Sequence, residues 1–135
     1  TVIGSGDVFG GALAKKMFDE TGCDAILVAR GALGNPWIFS QISHYLKYGK
    51  EPAPPEIEEI TRAMKEHLAL CADFFGEKYG VVIFRKFFGW YTKGFRKVRC
   101  LRERATYAKT QKEVEAIIGE ISPQRYMRPT ASSVK

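Results

Sequence analysis

Between Lys50 and Pro55 the chain reads Lys-Glu-Pro-Ala-Pro-Pro, and three prolines in four positions forbid a continuous helix through that stretch. The apolar pattern changes character across it. Upstream, Ala25-Ile26-Leu27-Val28-Ala29 is apolar without alternation, as expected of a parallel strand covered on both faces. Downstream, apolar residues step by three or four, which is the period of a helix. The chain therefore reads as residues 1–50, residues 51–121 and a flexible tail over 122–135 that carries two prolines and no periodicity. A length of 135 residues supports one core or two small ones.

In the first part, Thr1 to Gly4 reads as the end of a buried strand, followed by the polar turn Gly4-Ser5-Gly6-Asp7. Leu13, Met17 and Phe18 form a helical stripe that Gly22 closes. The apolar strand comes next, then Arg30-Gly31-Ala32-Leu33-Gly34. Asn35 as N-cap with Pro36 at the first helical position starts a helix whose stripe is Ile38, Ile42, Tyr45 and Leu46.

In the second part, Ile57, Ile60, Met64, Leu68, Cys71 and Phe75 mark one helix that ends before Gly76. A second is expected from Val81 to Lys93, with Ile83, Phe87, Trp90 and Tyr91 buried. A third places Val98, Leu101, Ala105 and Ala108 inward, and leaves Arg99, Arg102 and Arg104 outside. Thr110 and Glu113 form a capping box for a fourth, built on Val114, Ile117, Ile118 and Ile121. Four such helices make a bundle.

Charge is divided as unevenly as pattern. Residues 1–60 carry a net charge of −3 and residues 61–135 a net charge of +9. From Lys78 to Lys112 there are eleven basic residues and one acid, Glu103, a field suited to a polyanion. Cys23, Cys71 and Cys100 are too widely spaced for a zinc ribbon or a redox pair, and with only His44 and His67 beside them no metal is expected. No apolar stretch approaches the roughly 20 residues that span a bilayer, so a soluble, cytoplasmic protein without membrane contact is expected.

Two glycine-rich turns, each after an apolar parallel strand, can aim backbone N–H groups at one point and form an anion cradle. In (β/α) barrels, the loops after the last two strands often hold a ligand's phosphate. Structural turns use the same glycines, but Arg30 at the carboxyl end of a strand favours the cradle. The run from Ile83 to Lys97 interleaves aromatic rings with cations. The cations would neutralise phosphates and an exposed ring could stack on an unpaired base, whereas rings at helical spacing also serve as core. Lys86 and Lys93 would lie one above the other on the second helix. Arg85 stands beside them, and Arg96, Lys97, Arg99 and Arg102 extend the strip.

The Gly-Ser-Gly-Asp-Val run, Thr-Gly-Cys-Asp-Ala-Ile-Leu-Val-Ala-Arg-Gly-Ala-Leu-Gly-Asn-Pro-Trp-Ile-Phe, and Arg-Lys-Phe-Phe-Gly-Trp-Tyr-Thr-Lys-Gly together resemble the C-terminal part of bacterial tRNA-dihydrouridine synthases, in the nitrogen-regulation-like TIM-barrel branch. The resemblance covers about residues 1–121. It implies an α/β fragment, the last two βα units of a TIM barrel that binds flavin, followed by an all-α helical bundle that binds tRNA, the whole mostly helical. It also implies that Gly4, Ser5, Gly6, Asp7, Ala29, Arg30 and Gly31 hold the phosphate of FMN. Arg85, Lys86, Lys93, Arg96, Lys97, Arg99 and Arg102 would face RNA, with Trp90 and Tyr91 in the same domain. Ser5 stands where asparagine is common, Ala29 where glycine precedes the arginine, and Phe87 where histidine is usual.

The reaction implied is reduction of FMN by NADPH, hydride delivery to C6 of a uridine and protonation of C5 by a cysteine, with the base taken out of its stack. That cysteine and the lysine contacting the flavin belong to earlier strands, and Cys23, Cys71 and Cys100 match no catalytic position. Two strands cannot close a barrel, so this chain alone is expected to be inactive and to self-associate through uncovered strands. The alternative reading is a stand-alone basic helical RNA-binding module without catalysis, and beyond it a helical interaction domain with a basic surface.

Overall fold

The structure is a computed structural model that describes residues 1–123. The tail expected over 122–135 falls, from residue 124 onward, outside the described residues. The chain divides into two compact units, Thr1–Pro54 and a second that begins at Pro55. The division lies inside the proline-rich stretch.

The first unit contains β1 (Ile3–Ser5), α1 (Gly11–Thr21), β2 (Ala25–Leu27), a 3₁₀ turn over Arg30–Ala32, and α2 (Ile38–Tyr48). The strands pair in parallel, with Ile3 opposite Ala25 and Ser5 opposite Leu27, and α1 supplies the crossover between them. Asp24 anchors the entry to β1, its carboxylate accepting the Val2 N–H at 2.7 Å. Gly22 ends α1 in the left-handed region at φ 63° and donates to the Phe18 carbonyl. That conformation favours glycine because it lacks a Cβ.

Three details of this unit depart from the sequence reading. The strands are not covered on both faces: Val2, Ile3 and Leu27 are each more than half exposed. The helix packed on these two strands is α1. On α1 the buried positions are Gly11 and Ala14, while Leu13 is exposed. The cause is close approach of α2, since a Cβ on Gly11 would lie 2.1 Å from the Tyr45 Cβ. Finally, α2 begins at Ile38 rather than at Pro36. Asn35 does not cap it; its carbonyl accepts the Ile38 N–H and its side-chain amide donates to Gln41.

The second unit contains α3 (Ile57–Phe75), α4 (Glu77–Tyr91), α5 (Arg99–Tyr107) and α6 (Gln111–Gly119). Helix α3 starts in a capping box in which Glu56 and Glu59 satisfy each other's backbone amides. Each helix packs on the next, and α6 returns to both α3 and α4. The core holds Ile60, Met64, Leu68, Val81, Phe84, Phe88, Leu101, Val114 and Ile118. The expected inward residues of α5 and α6 are all buried.

The second helix of this unit differs most from expectation. It runs from Glu77, not Val81, and ends at Tyr91, so Lys93 lies beyond it. Its buried side is Gly80, Val81, Phe84, Phe88 and Tyr91. Of the residues expected to be buried there, only Tyr91 is, whereas Ile83 and Phe87 are half-buried and Trp90 is 36% exposed. Gly80 sets this rotation. A Cβ there would lie 2.6 Å from the backbone of Cys71 and Ala72, so α3 and α4 approach most closely at Gly80 and the residues one turn and two turns later follow it inward. On α3, Phe75 is exposed, because the stripe is already complete at Cys71 and Ala72.

Candidate functional site

The first unit builds a small cleft of about 160 Å³ at the carboxyl ends of β1 and β2, lined by Ser5, Gly6, Asp7, Val8, Leu27, Ala29 and Arg30. Parallel pairing puts both strand ends on one side, so two loops 23 residues apart in sequence meet there. The Arg30 guanidinium donates to the Asp7 carboxylate and ties the loops together. Both side chains remain well exposed, at 70% and 62%. In such a setting the pair adds little stability, so holding the cation at the cleft is its main physical effect.

Of the seven residues expected to form a phosphate cradle, Ser5, Gly6, Asp7, Ala29 and Arg30 come together in this cleft. Gly4 and Gly31 do not line it, and each meets a packing demand instead. A Cβ on Gly4 would collide with Met17 Sδ and Cys23 Sγ at 2.8 and 2.9 Å, and one on Gly31 would lie 2.0 Å from the Val8 carbonyl oxygen. Gly6 is different, because its nearest neighbour would be 3.6 Å away, which leaves room beside its backbone. Val8 and Leu27 also line the cleft. No sequence signal singled out either residue, since the strand that carries Leu27 is apolar throughout.

In the second unit the cations from Arg85 to Arg104 separate into three groups. Arg85 is half-buried and donates to the Ala108 carbonyl, the C-cap of α5, at 2.8 Å; its Nε is buried without a partner. Arg102 donates from Nε to Thr92 Oγ1 at 3.0 Å and from Nη2 to the Thr92 carbonyl at 2.5 Å, which caps α4. Both guanidiniums thus donate to carbonyls at helix C-termini, the Thr92 carbonyl also accepting the Phe95 N–H at 3.1 Å, and their positive charge complements the negative end of the helix dipole. They are committed to the fold and lie outside the expected strip. Arg99 pairs with Glu103, and Arg104 makes two 2.7 Å bonds to Glu120. Among the described residues, Lys86, Lys93, Arg96 and Lys97 are exposed and form no ion pair.

Beside these free cations lies a row of rings that joins α3 to α4. His67 stacks at a tilt on Phe87 with centroids 4.2 Å apart, and Phe87 meets Trp90 edge to face at 5.2 Å. His67 Nδ1 is 3.3 Å from the Tyr91 hydroxyl. Burial lowers the pKa of His67 and raises that of Tyr91, with Cys71 and Glu66 adding to the latter. Both shifts favour the uncharged forms of the pair. Cys71 is likewise raised by burial, which makes it a poor thiolate. Among the described residues, no cluster of His, Cys, Asp and Glu could hold a metal, and no helix is long and apolar enough to cross a membrane.

A two-loop cleft after adjacent parallel strands, followed by a basic helical unit, agrees with what comparison with known proteins finds. Residues 1–126 match the family model for dihydrouridine synthases, and the chain belongs to that family. A probable tRNA-dihydrouridine synthase of Rickettsia conorii is 46% identical over 93 residues, which are 69% of this chain and 28% of that protein. The tRNA-dihydrouridine synthase B of Shewanella oneidensis is 43% identical over 90 residues, 67% of this chain and 28% of its own length. A probable tRNA-dihydrouridine synthase of Mycobacterium tuberculosis is 33% identical over 120 residues, 89% of this chain and 31% of that protein. The chain spans less than a third of the length of these relatives.

Proposed function

We propose that this chain is part of a flavin-dependent tRNA-dihydrouridine synthase, in which the first unit holds the phosphate of FMN and the second unit faces tRNA. The observation that carries this reading is the Asp7–Arg30 cleft at the ends of two adjacent parallel strands. Its size suits the phosphate end of FMN alone, since pockets for whole ligands run to roughly 300–1,000 Å³. Bound FMN, reduced by NADPH, would supply hydride to the uracil ring. The work of this chain's residues is electrostatic. Asp7 alone would repel a phosphate, but it uses only part of the donor fork of Arg30, and the remaining N–H groups are available to phosphate oxygens. Gly6 leaves space for those oxygens to approach the backbone.

The two strands would form one edge of a (β/α) barrel whose further strands cover Val2, Ile3 and Leu27. No cysteine here corresponds to the proton donor of the reaction, so the chain alone should lack synthase activity. A ¹⁵N-labelled sample of the 135-residue chain, titrated with FMN, inorganic phosphate and riboflavin, tests the cleft. FMN and phosphate should both shift the amides of Gly6, Asp7 and Arg30, weakly and only when Arg30 is intact, while riboflavin should not. Absence of these shifts with FMN sinks the phosphate assignment.

The tRNA-facing role rests on the free cations Lys86, Lys93, Arg96 and Lys97. They should grip the folded RNA backbone by charge and shape, with little base readout. Arg96→Glu combined with Lys97→Glu should weaken binding of different tRNAs almost equally and make its salt dependence shallower. Unchanged affinity and slope would leave only a solvated basic face.

A further inference from the structure

We propose that the last turn of α4 is a stacking site for one unpaired RNA base, with Trp90 as the platform and Lys86 and Lys93 on the flanking phosphates. This rests on the tRNA-facing reading of the second unit and gives it a specific contact. The packing of α4 is complete without Trp90: Val81, Phe84, Phe88 and Tyr91 fill its core side, while Trp90 stays 36% exposed. Phe87 meets the Trp90 ring edge to face and itself rests on His67. A large ring supported from inside and open on its outer side is a preformed surface for a base, and every base has a π-face to offer.

Gly89 is an independent sign that something approaches here. A glycine in a helix interior is less favourable than alanine, so packing or function must account for it. Packing does not, because beyond its chain neighbours and its own helix backbone no atom lies within 4 Å of the place its Cβ would take. At 3.6 residues per turn, Gly89 and Trp90 flank Lys86 at about 60° and about 40° around the helix, so the three share one outer sector. Lys93 follows in a turn closed by its own amide on the Trp90 carbonyl at 3.2 Å. A sugar-phosphate can lie against the bare backbone at Gly89 with an ammonium group on either side while its base reaches the ring. The surrounding charge selects a polyanion, with eleven basic residues and one acid between Lys78 and Lys112. A stack on the ring further requires that the base be unpaired.

The chain has two tryptophans, so Trp37→Phe leaves Trp90 as the only one. In that background the chain is titrated with an oligouridylate of about ten nucleotides and with an RNA duplex of similar charge. Oligouridylate should quench Trp90 fluorescence. Trp90→Leu should weaken its binding roughly five-fold or more, the low end for base–aromatic stacking. Trp90→Phe should recover most of that loss, and duplex affinity should stay unchanged in both variants. Equal affinity of Trp90→Leu and its parent for oligouridylate, or the same loss on duplex, overturns the stacking site. Arg96→Glu with Lys97→Glu lies outside the patch and separates the two levels. If those changes lower tRNA affinity while Trp90→Leu has no effect, only the stacking site falls. If they leave tRNA affinity untouched, the RNA-facing reading falls and takes the site with it.

Discussion

Gly80 and Gly89 sit on the same helix for opposite reasons. A methyl group at Gly80 would press into the backbone of Cys71 and Ala72 at 2.6 Å, whereas at Gly89 it would meet nothing. Gly89→Ala should therefore raise unfolding stability by up to about 1 kcal/mol, and Gly80→Ala should lower it, because rigid backbone cannot yield. Urea unfolding of both variants measures the contrast. The second residue-scale expectation concerns His67, whose pKa burial holds below 6.5. As pH falls, the unfolded chain takes up that proton first, so the contribution of neutral His67 is present above about pH 6.5 and is lost as pH drops through its lower folded value. Thermal melts at about pH 7.5 and about pH 5.5 should show a smaller pH-dependent fall for His67→Phe than for the parent. Residue identity alone could not announce either role. Glycines look alike in sequence, and so do the cations, of which Arg85 and Arg102 turn out to cap the ends of α5 and α4.

At the scale of elements, the end of α1 at Gly22 and the start of α6 at Thr110 were legible, whereas the start of α2 and the bounds and face of α4 were not. The start of α6 matches its local signal: Thr110 Oγ1 accepts the Glu113 N–H at 3.3 Å. The reciprocal bond goes one residue earlier than a strict capping box requires, from the Lys109 N–H to the Glu113 carboxylate at 2.7 Å. Thr110→Ala should destabilise the second unit by about 1 kcal/mol, read as a shift in denaturation midpoint, and Thr110→Asp should restore most of the loss. Faces are harder because α4 offers two aromatic stripes one residue apart, Phe84 with Phe88 and Phe87 with Trp90, both at helical spacing. Periodicity fits either. The contact at Gly80 chooses the first and so leaves Trp90 at the surface.

At the scale of the whole chain, the exposed strands have a consequence in solution. Val2, Ile3 and Leu27 present apolar surface on a sheet of two strands whose edges are open to pairing. The isolated chain should self-associate with rising concentration, and Ile3→Lys with Leu27→Lys should reduce it; sedimentation velocity over a concentration series reads both. The sequence by itself determined the proline-rich division, the order of strands and helices, the caps at Gly22 and Thr110 though not at Asn35, the concentration of positive charge after residue 61 and the family. Each of these is set by local chemistry or by a continuous run of residues: proline lacks an N–H, apolar spacing follows the helical period, and charge is additive. Only the tertiary structure decided which loops meet, so that Asp7 and Arg30 close one cleft while Gly4 and Gly31 serve packing. It also decided which face of α4 is buried and which cations remain free. Those outcomes depend on contacts between separate elements, where a single close approach such as that at Gly80 fixes the rotation of a helix and with it the surroundings of every side chain it carries.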